Sequence, residues 1–161
     1  MEDFPRNAVV LRFAAYSPFF LLTMSYGIFH DPSTSIIFTS IDAYLGFHML
    51  AQKEHRREII NSPNGYIANR NLVNIIERNQ GDHIIVPNWE NNREEIMRRG
   101  LLLKYRQCLP LGKLLENTGN HPIFDDSRQN DAIWCWVKGN GMNLHGKLLE
   151  EVRLTLREER S

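Results

Sequence analysis

The run from 41 to 51, Ile-Asp-Ala-Tyr-Leu-Gly-Phe-His-Met-Leu-Ala, is apolar almost all round. A helix with that pattern has no broad polar face and must be buried on most sides. The rest of the chain has to surround it. At 161 residues the chain is one domain's worth, since domains cluster at roughly 100–150 residues. A chain of this size buries roughly 70% of the surface its unfolded form exposes, so it needs no staples. Nothing repeats, and no low-complexity tract or linker interrupts residues 1–161.

Around that helix the turn chemistry punctuates the chain. Residues 9–13 form a short apolar run and read as a strand. Residues 25–29 and 36–39 flank Asp31-Pro32-Ser33-Thr34 and read as a hairpin. Thr39 or Ser40 caps a helix running to about residue 57. Ser62-Pro63-Asn64-Gly65 breaks the chain, and a polar helix over 66–78 follows. A loop over 79–82 leads to a short extended piece at 83–86. Asn88 or Asn91 opens a long helix to about residue 107, and Leu109-Pro110 starts a short one. Residues 121–143 read as irregular, and Asn143 caps a last amphipathic helix over 144–158. The expectation is a helix-dominated α+β single domain with a small N-terminal β-sheet.

Charge and composition narrow the function classes. Lys plus Arg and Asp plus Glu are each 19, so no global field holds a polyanion, and stable nucleic-acid binding is not expected. The uncharged stretch 13–29 falls short of the about 20 apolar residues of a membrane helix and is broken by Pro18 and Gly27. It reads as two short buried β segments, with no membrane association. Residues 1–5 lack the basic region of a secretory signal. Two cysteines, Cys108 and Cys135, do not make a disulfide framework, so a reducing, cytoplasmic setting is expected.

Several residues are misplaced for an ordinary core. At about 100° per residue, Arg93 and Lys104 fall within about 40° of Met97, on the apolar stripe of the long helix. Two cations there must be paired or line a cavity, unless long stems carry their heads to solvent. Glu95, Arg98, Arg99 and Arg106 form its solvated face. Asp42 opens the apolar helix, either as a cap and dipole partner or as a carboxylate in a pocket. Gly139-Asn140-Gly141 precedes the last helix, either as a phosphate cradle or as a simple glycine turn before a cap. His48 reads as a satisfied core histidine, and no histidine pair has metal-ligand spacing.

The order of these pieces resembles the NADAR family, whose members include N-glycosidases. The family outline is Glu-His-Tyr-x-x-x-x-Lys, then Trp-x-x-x-Arg-x-x-x-Met ending in Lys-Phe, Leu-Leu-x-Thr-Gly, Asp-x-x-Trp-Gly, and Gly-x-Gly-x-Asn-x-x-Gly. This chain has Asp42-Ala43-Tyr44; Trp89, Arg93 and Met97; Lys104-Tyr105; Leu114-Leu115 with Thr118-Gly119; Asp131 and Trp134; and Gly139, Gly141, Asn143 and Gly146. The match runs over residues 39–153.

The resemblance implies cleavage of an N-glycosidic bond in a phosphoribosylated or ADP-ribosylated base. Asp42 and Asp131 would be the carboxylates at the sugar, where bond breaking builds oxocarbenium character. Arg93 and Lys104 would neutralise phosphate. Trp89 and Trp134 would wall the base or ribose, with Tyr44, Gly141 and Asn143 completing the substrate site. No metal and no cofactor are implied; the partner is a small-molecule nucleotide or an ADP-ribosylated nucleic-acid base. Three departures stand out. The family Glu is Asp42, whose reach is shorter by about 1.5 Å. The family His is Ala43. The helix lysine is Met49, with Lys53 one turn later on the same face. A catalytically degenerate relative that binds NAD, ADP-ribose or a related nucleotide is the alternative.

Overall fold

In a computed structural model, which describes residues 4–12, 21–79, 83–128 and 130–161, the chain divides into two units. One comprises Met1–Leu22 and Cys108–Ser161; the other is Thr23–Gln107. The secondary structure is helix-dominated α+β, with six helices and four three-residue strands among the described residues.

The apolar helix α1 (Ile41–Met49) organises the Thr23–Gln107 unit. Its residues 41–47 are all buried. It packs against α2 (Lys53–Ile60), α3 (Gly65–Arg78), α4 (Trp89–Gln107) and strand β3 (Ile36–Phe38). Burial on most sides is thus met by three helices and a strand. Close approach to α4 depends on Gly100, where a Cβ would lie 2.5 Å from the Tyr44 ring. β3 pairs antiparallel with β2 (Phe29–Asp31) in the register Phe29↔Phe38, His30↔Ile37, Asp31↔Ile36. The hairpin forms as the turn residues predict, but its first strand starts at Phe29 rather than 25. Asp31 Oδ1 accepts hydrogen bonds from Ser33 N and Oγ at 3.0 and 2.8 Å, which fixes the turn there.

The expected single helix over 40–57 is two helices. Ser40 is the N-cap, its Oγ accepting from Ala43 N–H at 3.1 Å. Leu50 is extended and bridges Ile85, while Ala51 N–H donates to Ile84 O (2.8 Å) and Val86 N–H to Met49 O (2.9 Å). This non-local pairing takes the backbone groups that would have continued the helix. Lys53 consequently opens α2, exposed and off α1 altogether.

In the other unit, β1 (Val9–Leu11) pairs in parallel with β4 (Ile123–Asp125) in the register Val9↔Ile123. Sequence reading leaves residues 121–143 irregular and the sheet N-terminal. A strand of three residues has no local signature, and its partner lies more than 100 positions away. α6 (Leu144–Arg160) covers β4 and packs on α5 (Leu109–Glu116). Leu148, Val152 and Leu156 are buried as the amphipathic pattern predicts. Arg153 is buried as well, donating to Thr118 Oγ1 (2.7 Å) and His121 O (2.8 Å). Of the two β segments expected in 13–29, residues 13–20 lie outside the described residues, and 21–28 contain no strand. Among the described residues, no helix is long and apolar enough to cross a membrane.

Candidate functional site

The sequence-predicted site residues fall into two sets, one in each unit. Asp42, Tyr44, Trp89, Arg93 and Lys104 belong to Thr23–Gln107; Asp131, Trp134, Gly141 and Asn143 belong to the other.

In the first set, Asp42 is 3% exposed in the first turn of α1, and its N–H donates to Thr23 O at 3.1 Å. Ser40 performs the side-chain capping, and Asp42 keeps the dipole-facing place of an acid in the first turn. Arg93 has a side chain 20% exposed and pairs with Glu90 one turn earlier. Trp89 is buried at the start of α4. Lys104 is 0% exposed; its Nζ donates to Ser25 O and Oγ, both at 2.8 Å. Of the two readings left open by the helical geometry, the structure shows the cation buried and paired. Its ammonium ties down the segment around Ser25.

Tyr44 is also wholly enclosed. Its ring centroid lies 5.7 Å from Phe29, 5.0 Å from Phe38 and 4.5 Å from His48. The ring is thus part of the core. Burial pushes its hydroxyl upward, Asp31 adding to the effect and Arg99 opposing it.

Beside Tyr44 lies a cluster that sequence reading misses. Asp31, wholly buried, accepts from Arg99 Nη2 at 2.7 and 2.6 Å, and His48 Nε2 lies 3.4 Å from Asp31 Oδ2. Burial alone would raise the Asp31 carboxyl, but hydrogen bonds from Arg99 and Ser33 hold it below its ordinary value. Burial likewise lowers His48, against the pull of Asp31. Helical periodicity assigns Arg99 to the solvated face and turn chemistry accounts for Asp31. Neither signal pairs residues 68 positions apart.

In the second set, Asp131 caps a single turn. Its Oδ1 accepts from Trp134 N–H at 3.1 Å and its carbonyl from Cys135 N–H at 2.9 Å. Trp134 is half-buried. The turn's own carbonyls then accept from the start of α6: Leu144 N–H donates to Ile133 O and His145 N–H to Trp134 O, both at 3.1 Å. The helix end that could cradle a phosphate thus has these two donors occupied. Gly141, at φ +114°, lies where a Cβ would meet Cys135 O at 2.5 Å. The glycine is required by the turn itself.

Asn143 is 3% exposed with φ +50°. Its Oδ1 accepts from Asp125 N–H (2.9 Å) and its Nδ2 donates to Ile123 O (2.8 Å). It stands at the N-cap position of α6 without a side-chain cap bond, and through both ends of its amide it clamps α6 to β4. Beneath it, His145 Nδ1 lies 2.6 Å from Asp125 Oδ2, fully buried. Burial would raise the Asp125 carboxyl, but His145 and Ser127 hold it below its ordinary value. Burial, with Asp125 and Asp131 nearby, pushes the Cys135 thiol up to about 12. Among the described residues, no three His, Cys, Asp or Glu side chains gather as a metal-ligand set.

A family model described as the NADAR domain matches residues 14–157, across both units. "N-glycosidase YbiA" of Shigella boydii serotype 4 (strain Sb227) is 36% identical over 74 residues, 45% of this chain and 46% of that protein. The matched segment therefore spans less than half of that relative's length. The NMR structure of the Escherichia coli protein YbiA superposes with a TM-score of 0.76 over 99% of this chain and 89% of that one, at 23% identity. That likeness establishes the shared fold.

Proposed function

Because the chain belongs to the NADAR domain family, we propose that it is an N-glycosidase acting on a phosphoribosylated or ADP-ribosylated base. The observation that carries this reading is the 74-residue match to a relative named as an N-glycosidase. In the reaction, the bond from C1′ to the base nitrogen breaks and the bonding pair leaves with the base. Water adds its oxygen to C1′; its two hydrogens end on the new hydroxyl and on the base. No cofactor is consumed. The transition state carries positive charge at C1′, which a fixed carboxylate stabilises. Asp42 supplies that carboxylate, held at the buried start of a helix whose backbone is tied to Thr23. Asp131 is the second carboxylate of the reading, one oxygen engaged by Trp134 N–H. Arg93 and Lys104 are the phosphate partners of the reading, Arg93 paired with Glu90 and Lys104 with Ser25.

The second reading, a binder of NAD, ADP-ribose or a related nucleotide, draws on Met49 standing where the family has a lysine, with Lys53 exposed on a separate helix. Mass spectrometry separates the two. Wild type and Asp42→Asn, checked for equal thermal stability, are incubated with guanine-ADP-ribosylated DNA oligonucleotide and with a ribosylaminopyrimidine phosphate. Release by wild type alone of free ADP-ribose from the oligonucleotide, or of free base from the ribosylaminopyrimidine phosphate, is the expected result. No release from either substrate, with calorimetric binding of ADP-ribose that Arg93→Ala abolishes, would overturn the glycosidase in favour of the binder.

A further inference from the structure

The unit containing α6 has an open cleft of about 570 Å³ lined by Ala132, Ile133, Val137, Asn140, Gly141 and Met142. That volume lies within the range of small-molecule sites. Among the described residues, no charged side chain lines it. A phosphate or carboxylate would find no counter-charge there, so the complementary occupant is neutral and largely apolar. One polar side chain is present. Asn140 Oδ1 accepts from Gly141 N–H at 2.8 Å, which leaves its amide nitrogen as a donor.

Both walls are held by backbone hydrogen bonds, so the cleft is preformed. Asp131 caps the turn that carries Ala132 and Ile133. Asn140 N–H donates to Val137 O at 2.9 Å, and Met142 N–H to Ala132 O at 2.7 Å. Lys138, Gly139 and Gly141 all take positive φ to close the loop. On this rigid frame Met142 is 52% exposed. An unbranched thioether is a surface that adapts to a flat ligand. The first wall begins at the residue after Asp131, a carboxylate of the proposed reaction.

We propose that this cleft seats the substrate's nucleobase, a carbonyl-bearing base lying against Ile133 and Met142 with Asn140 donating to its carbonyl. The assignment rests on the glycosidase reading, yet its test does not depend on turnover. Methyl NMR of the full chain, labelled at Met and Ile, is titrated with guanosine, with uridine and with ribose 5-phosphate. Either nucleoside is expected to shift the Met142 and Ile133 methyls saturably, while ribose 5-phosphate leaves them in place. Met142→Arg is expected to weaken nucleoside binding at least about tenfold, the size of a 1.4 kcal/mol contact. Shifts with neither nucleoside, or equal shifts with ribose 5-phosphate, overturn the assignment. Base release undiminished by Met142→Arg overturns it while sparing the glycosidase. Nucleoside shifts without turnover keep the cleft and remove the glycosidase.

Discussion

Replacing Asn143 by alanine tests whether the most committed residue of the glycine loop serves structure or substrate. The side chain is buried and satisfies two backbone groups of β4, Asp125 N–H and Ile123 O. Truncation orphans both. Each buried unsatisfied group costs about 1–3 kcal/mol, so the pair costs about 2–6 kcal/mol. Asn143 also sits at φ +50°, a conformation that asparagine tolerates and alanine adopts at an extra cost of about 1 kcal/mol. The expected loss is therefore at least about 3 kcal/mol, a large share of the about 5–15 kcal/mol that holds a typical domain. Tm should fall by at least about 6 °C. Asn143→Gly removes the same hydrogen bonds but accepts positive φ, so it should recover about 1 kcal/mol. Urea unfolding followed by circular dichroism and by tryptophan fluorescence reads these differences, alongside KM in the proposed glycosidase reaction. A stability loss under about 1 kcal/mol together with a raised KM would refute the clamp and return Asn143 to the substrate.

Acid titration tests the Asp31 cluster. The folded carboxyl lies below its ordinary value of 3.8, so the folded state holds fewer protons than the unfolded one in that window. Its contribution is complete above about pH 4 and disappears as pH falls through the folded value. Asp31→Asn should flatten that part of the pH–stability curve; an unchanged acid limb would show that the Arg99 pair contributes nothing there. Alkylation separates the two thiols. Cys135, buried and pushed up to about 12, should resist iodoacetamide at pH 8 in the folded protein and react in urea, while half-buried Cys108 reacts faster when folded. Equal native rates would contradict the enclosed thiol.

Local chemistry alone determined much of this protein. The apolar run 41–51 dictated a helix buried on most sides, and α1 meets three helices and a strand. Helical periodicity placed Lys104 on the apolar stripe, and it is buried. Ser40, Asn64 and the Asp31 turn marked element boundaries through side-chain to backbone hydrogen bonds within a few residues. What failed was everything set by distant pairing. The β1–β4 ladder, the Leu50–Ile85 bridge that splits a predicted helix, and the Asp31–Arg99 pair each join segments whose separate sequences carry no record of the partner. Distant contacts also decide how Asn143, Tyr44 and Lys104 are held. Their residue types suit a ligand site, but a polar group of given chemistry serves a ligand or the fold according to what lies within hydrogen-bond reach. Only tertiary structure brings Asp125 to Asn143, Phe29 to Tyr44 and Ser25 to Lys104, giving Asn143 and Lys104 their hydrogen-bond partners and the Tyr44 ring its packing.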